Sequence, residues 1–170
     1  MINSKKSLKT NPFQETLNMS MCGPASLKIV FAYYNLEKTE EELARLCNTN
    51  NSFGTNEVNL RKVAKHFGFN VVIKNNSSLK DIEHWITLGV PVIVDWFTRG
   101  RCDYTDSSIA DGHYSVVDGI DNKYIYLQDP EIGKIRRLEL DDFMKVWFDF
   151  SGEYINKSNL IIRQLIAIYK

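Results

Sequence analysis

The most constraining feature of this 170-residue sequence is a cysteine that directly precedes Gly23-Pro24 and a long apolar run. Proline is tolerated in the first turn of a helix, so Gly23-Pro24 predicts a helix start. The run from Ala25 to Tyr34 is apolar almost without interruption, which predicts a helix buried around nearly its whole circumference. Cys22 would then lie at the positive end of the helix dipole, where thiolate is favoured over thiol. A free cysteine is more often a small buried hydrophobe, so position alone leaves both interpretations open.

Composition indicates one globular domain without an obvious charged partner. The 21 basic residues balance the 21 acidic ones, which gives no general attraction to nucleic acid or to an anionic membrane. The three cysteines, Cys22, Cys47 and Cys102, lack the spacing of a disulfide framework or a zinc site, and a reducing cytoplasm fits them best. No signal core and no apolar run of bilayer length is present. We predict a loosely ordered segment over residues 1–12 and a single domain over residues 13–170.

The order of the predicted elements indicates an α+β fold. Helices are predicted from residues 23, 39, 57 and 79, and Thr39 with Glu42 has the spacing of a capping box. An apolar strand over 90–97 is followed by predicted strands over 113–120, 124–129, 135–140 and 159–169, with a short helix over 140–147 between the last two. Helices first and an antiparallel sheet second are typical of α+β proteins. Cys47 is predicted to face the core, and His66 and His84 to be solvated or structural side chains.

A catalytic cysteine needs a base that takes its proton and a third group that orients the base. His113 is the best candidate for the base because it opens a strand directly after an irregular loop. Side chains alternate along a strand, so His113 and Ser115 share one face and Asp118 points to the other. Asp118 is therefore close in sequence but excluded as the orienting acid.

Asp129 is the candidate for that acid, under a condition on the hairpin. It ends the next predicted strand, just before Pro130, which cannot continue the hydrogen-bond ladder. With an odd number of residues in the hairpin loop, Asp129 falls on the face of His113, opposite His113 itself or Ser115. With an even number the assignment fails, unless a β-bulge restores the register.

Three sequence elements together resemble the C39-like family of papain-type cysteine peptidases. They are Gln14 followed by Cys22-Gly23-Pro24-Ala25-Ser26, then Gly112-His113-Tyr114-Ser115-Val116-Val117, and then Leu127-Gln128-Asp129-Pro130. The segment SFGTNEVNLRKVAKHFGF between the cysteine helix and the sheet is also similar to that family. The resemblance extends from Gln14 to the last strand and implies a papain-like α+β domain with the site between helix and sheet.

The resemblance also implies the roles of four residues. Cys22 would be the nucleophile, His113 the general base and Asp129 the residue that orients His113. The side-chain amide of Gln14 would help to form the oxyanion hole, with the backbone N–H of Cys22 as the second donor. The implied reaction is hydrolysis of a peptide or protein substrate, with no cofactor and no metal.

Two departures from the family pattern bear on specificity. Met21 precedes the cysteine, where relatives often carry a small or acidic residue, and eight positions separate Gln14 from Cys22. The transporter-fused members cut after a double glycine, but this sequence has no Walker motif and no membrane span, so we expect a free-standing C39-like protein. An acyltransferase or amidase with the same triad, and a non-catalytic peptide-binding module, stay open as alternatives. The oligomeric state is not predicted.

The irregular insert from Arg99 to Asp111 comes just before the predicted base. Its acidic residues and Cys102 match neither an EF-hand loop nor a zinc pattern, so a rim or lid of the cleft is the favoured interpretation. Trp96, Phe97 and Tyr104 could line a pocket nearby.

Overall fold

The computed structural model describes residues 6–17, 20–50, 54–98, 112–151 and 157–170. In chain order the elements are β1 (Lys6–Ser7), α1 (Cys22–Tyr33), α2 (Glu40–Leu46), α3 (Glu57–His66), β2 (Asn70–Lys74), α4 (Leu79–Thr87), β3 (Val92–Phe97), β4 (Gly112–Ile120), β5 (Tyr124–Asp129), β6 (Lys134–Glu139), α5 (Leu140–Val146), β7 (Phe148–Phe150), β8 (Leu160–Ile162) and β9 (Leu165–Tyr169).

An antiparallel sheet with helices on both faces forms the centre of the protein. Its strands follow the order β2-β9-β3-β4-β5-β6, and β1 pairs with the end of β4. One face packs on the first three helices through residues such as Leu27, Phe31 and Leu60. The other face packs on α4 and α5 through residues such as Ile82 and Phe143. The predicted α+β class is confirmed.

Helix α1 is the most buried helix and has the predicted start. Eight of its twelve residues are buried, from Gly23 to Leu27 and from Ile29 to Phe31. It packs on α2, α3 and the middle strand β4. At its N-terminal end, Cys22 is half-buried and precedes the buried run from Gly23 to Leu27.

Side-chain caps fix where the next helices begin. Thr39 accepts a hydrogen bond from the Glu42 N–H, while the Glu42 carboxylate bonds Lys38 Nζ at 2.9 Å instead of returning to the cap. The complete capping box is at α4, where Ser78 and Asp81 bond each other's backbone N–H groups. Such caps satisfy N–H groups that have no partner within the helix.

The expectation that residues 1–12 are loosely ordered does not hold for residues 6–10. Strand β1 pairs with β4, with Lys6 opposite Ile120 and Ser7 opposite Gly119. Thr10 is buried, and its backbone N–H and hydroxyl both donate to the Asp118 carboxylate. A polar sequence is therefore ordered here by hydrogen bonds to a residue more than a hundred positions away.

The single closing strand predicted over 159–169 is wrong, because the chain divides at Arg163. Arg163 has a φ of 47°, a left-handed conformation that ends the strand. Its N–H donates to the Trp147 carbonyl at 3.0 Å. Strand β8 therefore pairs with β7 in a separate small sheet, whereas β9 lies between β2 and β3 in the main sheet.

Candidate active site

The start of α1 holds Cys22 in a half-buried position at the helix N-terminus. The first intrahelical hydrogen bond runs from the Ala25 N–H to the Met21 carbonyl at 2.8 Å. The N–H of Cys22 therefore has no acceptor within the helix. Gly23 allows the helix end to pack closely, because a Cβ at this position would lie 2.9 Å from the Thr55 Cβ.

Strand β4 carries His113, which is buried against Trp96. Trp96 is opposite His113 on β3, and the two rings meet edge to face with centroids 5.8 Å apart. The Trp96 indole N–H donates to the Ser115 hydroxyl at 3.1 Å. The sequence suggested that Trp96 could line a pocket. It is instead fully buried and packs against the imidazole.

The hairpin between β4 and β5 has an even loop, with which Asp129 was predicted to miss the face of His113 unless a bulge restored the register. Four residues, 121–124, separate the partners Ile120 and Ile125. The register shifts between Val117 and Gly119, so that Asp118 is an extra residue in β4. Beyond this bulge Val117 faces Leu127 and Val116 faces Gln128. Continuing this register places Ser115 opposite Asp129, and the bulge thus brings Asp129 to the face of His113.

The Asp129 carboxylate joins three donors. His113 Nε2 lies 2.7 Å from its Oδ1, and the Glu131 N–H donates to the same oxygen at 3.0 Å. Arg136 Nε donates to the second oxygen, Oδ2, at 2.7 Å. Asp129 is fully buried, so each hydrogen bond replaces water that the carboxylate has lost.

These partners set the charges of the pair. Burial disfavours the Asp129 carboxylate, but His113 and Arg136 outweigh it and lower the pKa of Asp129 to about 2. Burial also disfavours the imidazolium of His113, yet Asp129 and a side-chain hydrogen bond to Cys22 hold the pKa of His113 well above its ordinary value of 6.5. The arrangement therefore favours a protonated His113 between a carboxylate and the cysteine.

Sequence reasoning missed Arg136. It lies on β6 opposite Leu127, with only 9% of its side chain exposed. Its strand neighbour Leu138 points to the same core, which the two-residue alternation predicts. A buried arginine needs a carboxylate partner. The alternation that places Arg136 on the same face as Leu138 was therefore the signal in the sequence for a buried ion pair.

Gln14 lies beside the turn that follows Asp129. Its Nε2 donates to the Glu131 carbonyl at 3.1 Å, and the Glu15 N–H donates to the Pro130 carbonyl at 2.8 Å. Gly133, with a φ of 62°, makes room, because a Cβ there would lie 2.6 Å from the Gln14 Cβ. A side-chain amide nitrogen carries two hydrogens, so the bond to Glu131 engages one of them.

Glu15 is a half-buried acid in the same region. Burial raises the pKa of Glu15 to about 7, against the attraction of His113 and together with repulsion from Glu131 and Glu40. Its carboxyl group therefore changes charge near neutral pH, next to a positively charged imidazole.

A second buried acid, Asp95 on β3, lies near Cys22 on the face of the sheet that packs on α1. Burial raises the pKa of Asp95 well above its ordinary value, and the charges of Asp149 and Cys22 and a side-chain hydrogen bond with Asp149 add to the effect. Asp149 lies close to the start of β4, since a Cβ on Gly112 would come within 2.5 Å of its carboxylate. One proton shared between the two carboxyl groups satisfies both.

One group of possible metal ligands occurs in the part of the chain that the structure describes. Ligand atoms of His113, Asp129 and Glu131 lie within 4.8 Å of one another. Arg136 places its guanidinium against this group, 2.7 Å from Asp129 and 3.9 Å from Glu131. A fixed positive charge occupies the side a cation would approach, and we assign no metal here.

The remaining sequence-based candidates lie elsewhere. Cys47 is fully buried, as predicted, and burial raises the pKa of its thiol to about 12. Phe97 stacks on Phe148 with ring centroids 5.0 Å apart. Tyr104, Cys102 and the rest of the insert fall outside the described residues. Among the helices of the described ranges, none has the length and apolar character required to cross a bilayer.

Comparison with known proteins identifies the family. Residues 10–152 match the model of the Peptidase C39 family. The Transport/processing ATP-binding protein ComA of Streptococcus pneumoniae is 32% identical over 128 residues. That match covers 74% of this chain but only 16% of ComA.

Solved structures share the fold at low sequence identity. The peptidase domain of Streptococcus ComA, a bifunctional ABC transporter of a quorum-sensing pathway, has a TM-score of 0.68 and 23% identity, covering 93% of this chain and 97% of that domain. A double glycine motif protease from an AMS/PCAT transporter, solved with its leader peptide, has a TM-score of 0.67 and 20% identity, covering 96% and 94%. A candidate C39-like peptidase from Bacillus anthracis has a TM-score of 0.69 and 16% identity, covering 99% and 98%. The chain belongs to the Peptidase C39 family of cysteine peptidases.

Proposed function

We propose that this protein hydrolyses a peptide substrate with Cys22 as nucleophile, His113 as general base and Asp129 as the residue that orients His113. One observation carries the proposal: the imidazole of His113 bonds Asp129 at 2.7 Å, and Cys22 is among the groups whose hydrogen bond and charge raise the pKa of His113. Nucleophile, base and orienting acid in contact are what cysteine catalysis requires.

The geometry supports a definite division of the two imidazole nitrogens. Nε2 is engaged with Asp129, which leaves Nδ1 to exchange a proton with Cys22. The Cys22 thiolate attacks the carbonyl carbon, and His113 gives its proton to the leaving amine as the C–N bond breaks. Water, deprotonated by His113, then hydrolyses the thioester and regenerates the thiol.

Gln14 and the backbone N–H of Cys22 are proposed as donors for the oxyanion. The Cys22 N–H has no acceptor within α1, and the bond from Gln14 to Glu131 uses one of two amide hydrogens. Loss of one such donor typically costs about 2.7 to 4 kcal/mol of transition-state stabilisation. Gln14→Ala should therefore lower kcat far more than it raises KM, whereas Gln14→Glu places a negative charge beside the oxyanion and should be worse.

The substrate is proposed to be a peptide segment. The structure of the AMS/PCAT protease contains a leader peptide, and that protein shares the fold of this chain. Cys22 and Cys47 are free thiols, which fits a reducing compartment such as the cytoplasm. Cleavage after a double glycine is one specificity to be tested in a peptide library, not a property assigned to this protein.

The first experiment is the alkylation of each cysteine by iodoacetamide between about pH 4 and 9, followed by peptide mass spectrometry. We expect Cys22 to react fast at about pH 5 to 6, and His113→Ala to remove that advantage. Buried Cys47 is the internal control and should stay slow throughout. Equal alkylation rates of Cys22 and Cys47 across this pH range would contradict the proposed cysteine mechanism and favour a peptide-binding module.

Cleavage itself is then measured with a peptide library, with Cys22→Ala as the blank. Cys22-dependent release of a new amino terminus supports hydrolysis. An activated Cys22 that transfers the acyl group to an added amine faster than to water would instead identify an acyltransferase.

A further inference from the structure

The bulge at Asp118 decides whether Asp129 can reach His113. From the hairpin turn inward, Ile120 faces Ile125 and Gly119 faces Tyr126. If that register continued, Asp129 would face Val116, whose side chain belongs to the opposite face of the sheet from His113. The extra residue Asp118 shifts the pairing by one, and the acid and the imidazole meet at 2.7 Å.

Asp118 is held by one short segment of the chain, residues 7–10. Its backbone carbonyl accepts from the Leu8 N–H at 2.7 Å. Its Oδ1 accepts from the N–H and the hydroxyl of Thr10, at 2.7 and 2.8 Å. Its Oδ2 accepts from the Ser7 hydroxyl at 3.1 Å. A buried aspartate with four bonds to one segment is fixed in its backbone position as well as in its side chain.

Strand β1 completes this attachment beside the bulge. It occupies the edge of β4 that β3 leaves open, since β3 begins at Val92 opposite Val117. Gly119 permits the approach, because a Cβ there would lie 2.5 Å from the Lys6 carbonyl oxygen. We call residues 6–10 the N-terminal clasp.

We propose that Asp118 is a positioning residue, and that the N-terminal clasp, by fixing the bulge at Asp118, holds Asp129 in the register that orients His113. The proposal rests on the proposed catalytic roles of His113 and Asp129. It gives a function to a segment that contains no catalytic side chain.

A rival account is that the core alone fixes the bulge. Val117 and Ile120 are three residues apart, yet both belong to the core cluster on the α4 side, together with Leu127 and Ile125. That pattern also favours a one-residue shift. The two accounts differ in what the loss of the clasp does: the core account predicts lower stability alone, whereas our proposal predicts a change at His113.

The test follows the imidazole titration of full-length protein by NMR with 15N-labelled histidine. The chain has three histidines, and His66 and His84 are exposed, so they serve as internal references. In Asp118→Ala we expect the pKa of His113 to fall by about one unit or more, with a matching loss of Cys22 alkylation at low pH. Asp118→Asn keeps an acceptor for Thr10, and its amide N–H can donate to the Ser7 hydroxyl oxygen, so this variant should keep most of the wild-type titration.

Two further variants reach the clasp without changing Asp118. Gly119→Ala should displace β1, because its Cβ would meet the Lys6 carbonyl oxygen, and Thr10→Val removes one hydroxyl donor to Asp118. Both variants should lower the pKa of His113, as Asp118→Ala does. The effect of Thr10→Val should be the smallest. These variants also keep the test decisive if Asp118→Ala does not fold.

The matched control is Asp121→Ala, in the same hairpin. Asp121 accepts from the N–H groups of Lys123 and Tyr124 and from the Tyr126 hydroxyl, all within 2.8 Å, but it lies at the turn. It should lower stability and leave His113 unchanged. An unchanged His113 titration in folded Asp118→Ala or Gly119→Ala, with only a lower Tm, would overturn the proposal.

The titration needs no substrate, so its failure differs from failure of the proposed function. Wild-type protein without Cys22-dependent hydrolysis would refute the peptidase assignment, whatever His113 does in the variants. Active wild-type protein with an insensitive His113 would refute the positioning role alone.

Discussion

Asp95 and Asp129 are buried aspartates on the two strands that flank β4, yet their surroundings drive their charges in opposite directions. Asp95, on β3, lies opposite Tyr114 of β4. Asp129, on β5, is in register with Ser115, the next residue of β4. The pKa of Asp95 is raised well above its ordinary value, whereas that of Asp129 is lowered to about 2.

The partners explain the difference, since both side chains are almost completely buried. Asp129 faces an imidazole, a guanidinium and a backbone N–H, and ionisation satisfies all three. Asp95 faces the carboxyl group of Asp149, and two negative charges in contact repel each other. Burial makes the charge of an acid costly, and the partners decide whether the cost is met.

The largest effect should come from removing the carboxylate that has good partners. Asp129→Ala leaves Arg136 and His113 buried without their common acceptor, and we expect the free energy of unfolding at pH 7 to fall by about 3 to 5 kcal/mol. Urea denaturation measures the change.

The pH dependence of the same variant provides its control. Because the pKa of Asp129 is lowered by folding, its contribution to the free energy of unfolding is complete above about pH 3.8, the ordinary pKa of the group. That contribution is lost as the pH falls toward about 2, the pKa in the folded protein. The gap between wild type and Asp129→Ala should therefore narrow over this range. A gap that is as wide at pH 2 as at pH 7 would show that packing, rather than charge, accounts for the loss.

The opposite sign is expected for Asp95→Asn. A carboxyl with a raised pKa contributes its full stability below the unfolded value of 3.8 and loses it as pH rises through the folded value. Asparagine is neutral at every pH, so the free energy of unfolding of the variant should increase relative to that of wild type as pH rises above 3.8. Tm measured from pH 4 to 9 follows this gain.

Asp118→Asn is the matched control for that gain. Asp118 is also a buried aspartate, on the strand next to Asp95, but it accepts its hydrogen bonds from N–H and O–H donors. Its substitution should not stabilise the protein at any pH. If Asp95→Asn instead destabilised the protein equally from pH 4 to 9, Asp95 would be an ionised group with a donor, and the comparison would fail.

What the sequence could predict depends on how far apart in the chain the interacting residues lie. Helix starts at Thr39 and Ser78, and strands β4 and β5, depend on residues within a few positions of one another, and local patterns located them. The alternation of side chains also excluded Asp118 and left Asp129 as the candidate acid only with an odd loop or a bulge. These are properties of short windows of sequence.

The bulge, the clasp and the partner Arg136 could not be found in that way. Asp118 forms its bonds with residues 7–10, so the register of the hairpin depends on a distant segment. The pairing of Val117 with Leu127 and of Ile120 with Ile125 is a signal only once the bulge is known. Arg136 becomes a partner of Asp129 only after β5 and β6 are aligned.

Glu15 provides the smallest and finest test, because it is intermediate between the two aspartates. It is half-buried, attracted by His113 and repelled by Glu131 and Glu40, and its pKa is about 7. As pH rises through 7, Glu15 becomes negative and should favour the imidazolium of His113, whereas the side-chain amide in the Glu15→Gln variant stays neutral. We expect the ratio of wild-type to variant Cys22 alkylation rates to rise across this range, by about threefold or less. Glu41→Gln, an exposed change on α2, should leave the ratio flat. A flat ratio for Glu15→Gln as well would mean that the charge of Glu15 does not reach the imidazole, and that Asp129 and Cys22 alone set its protonation.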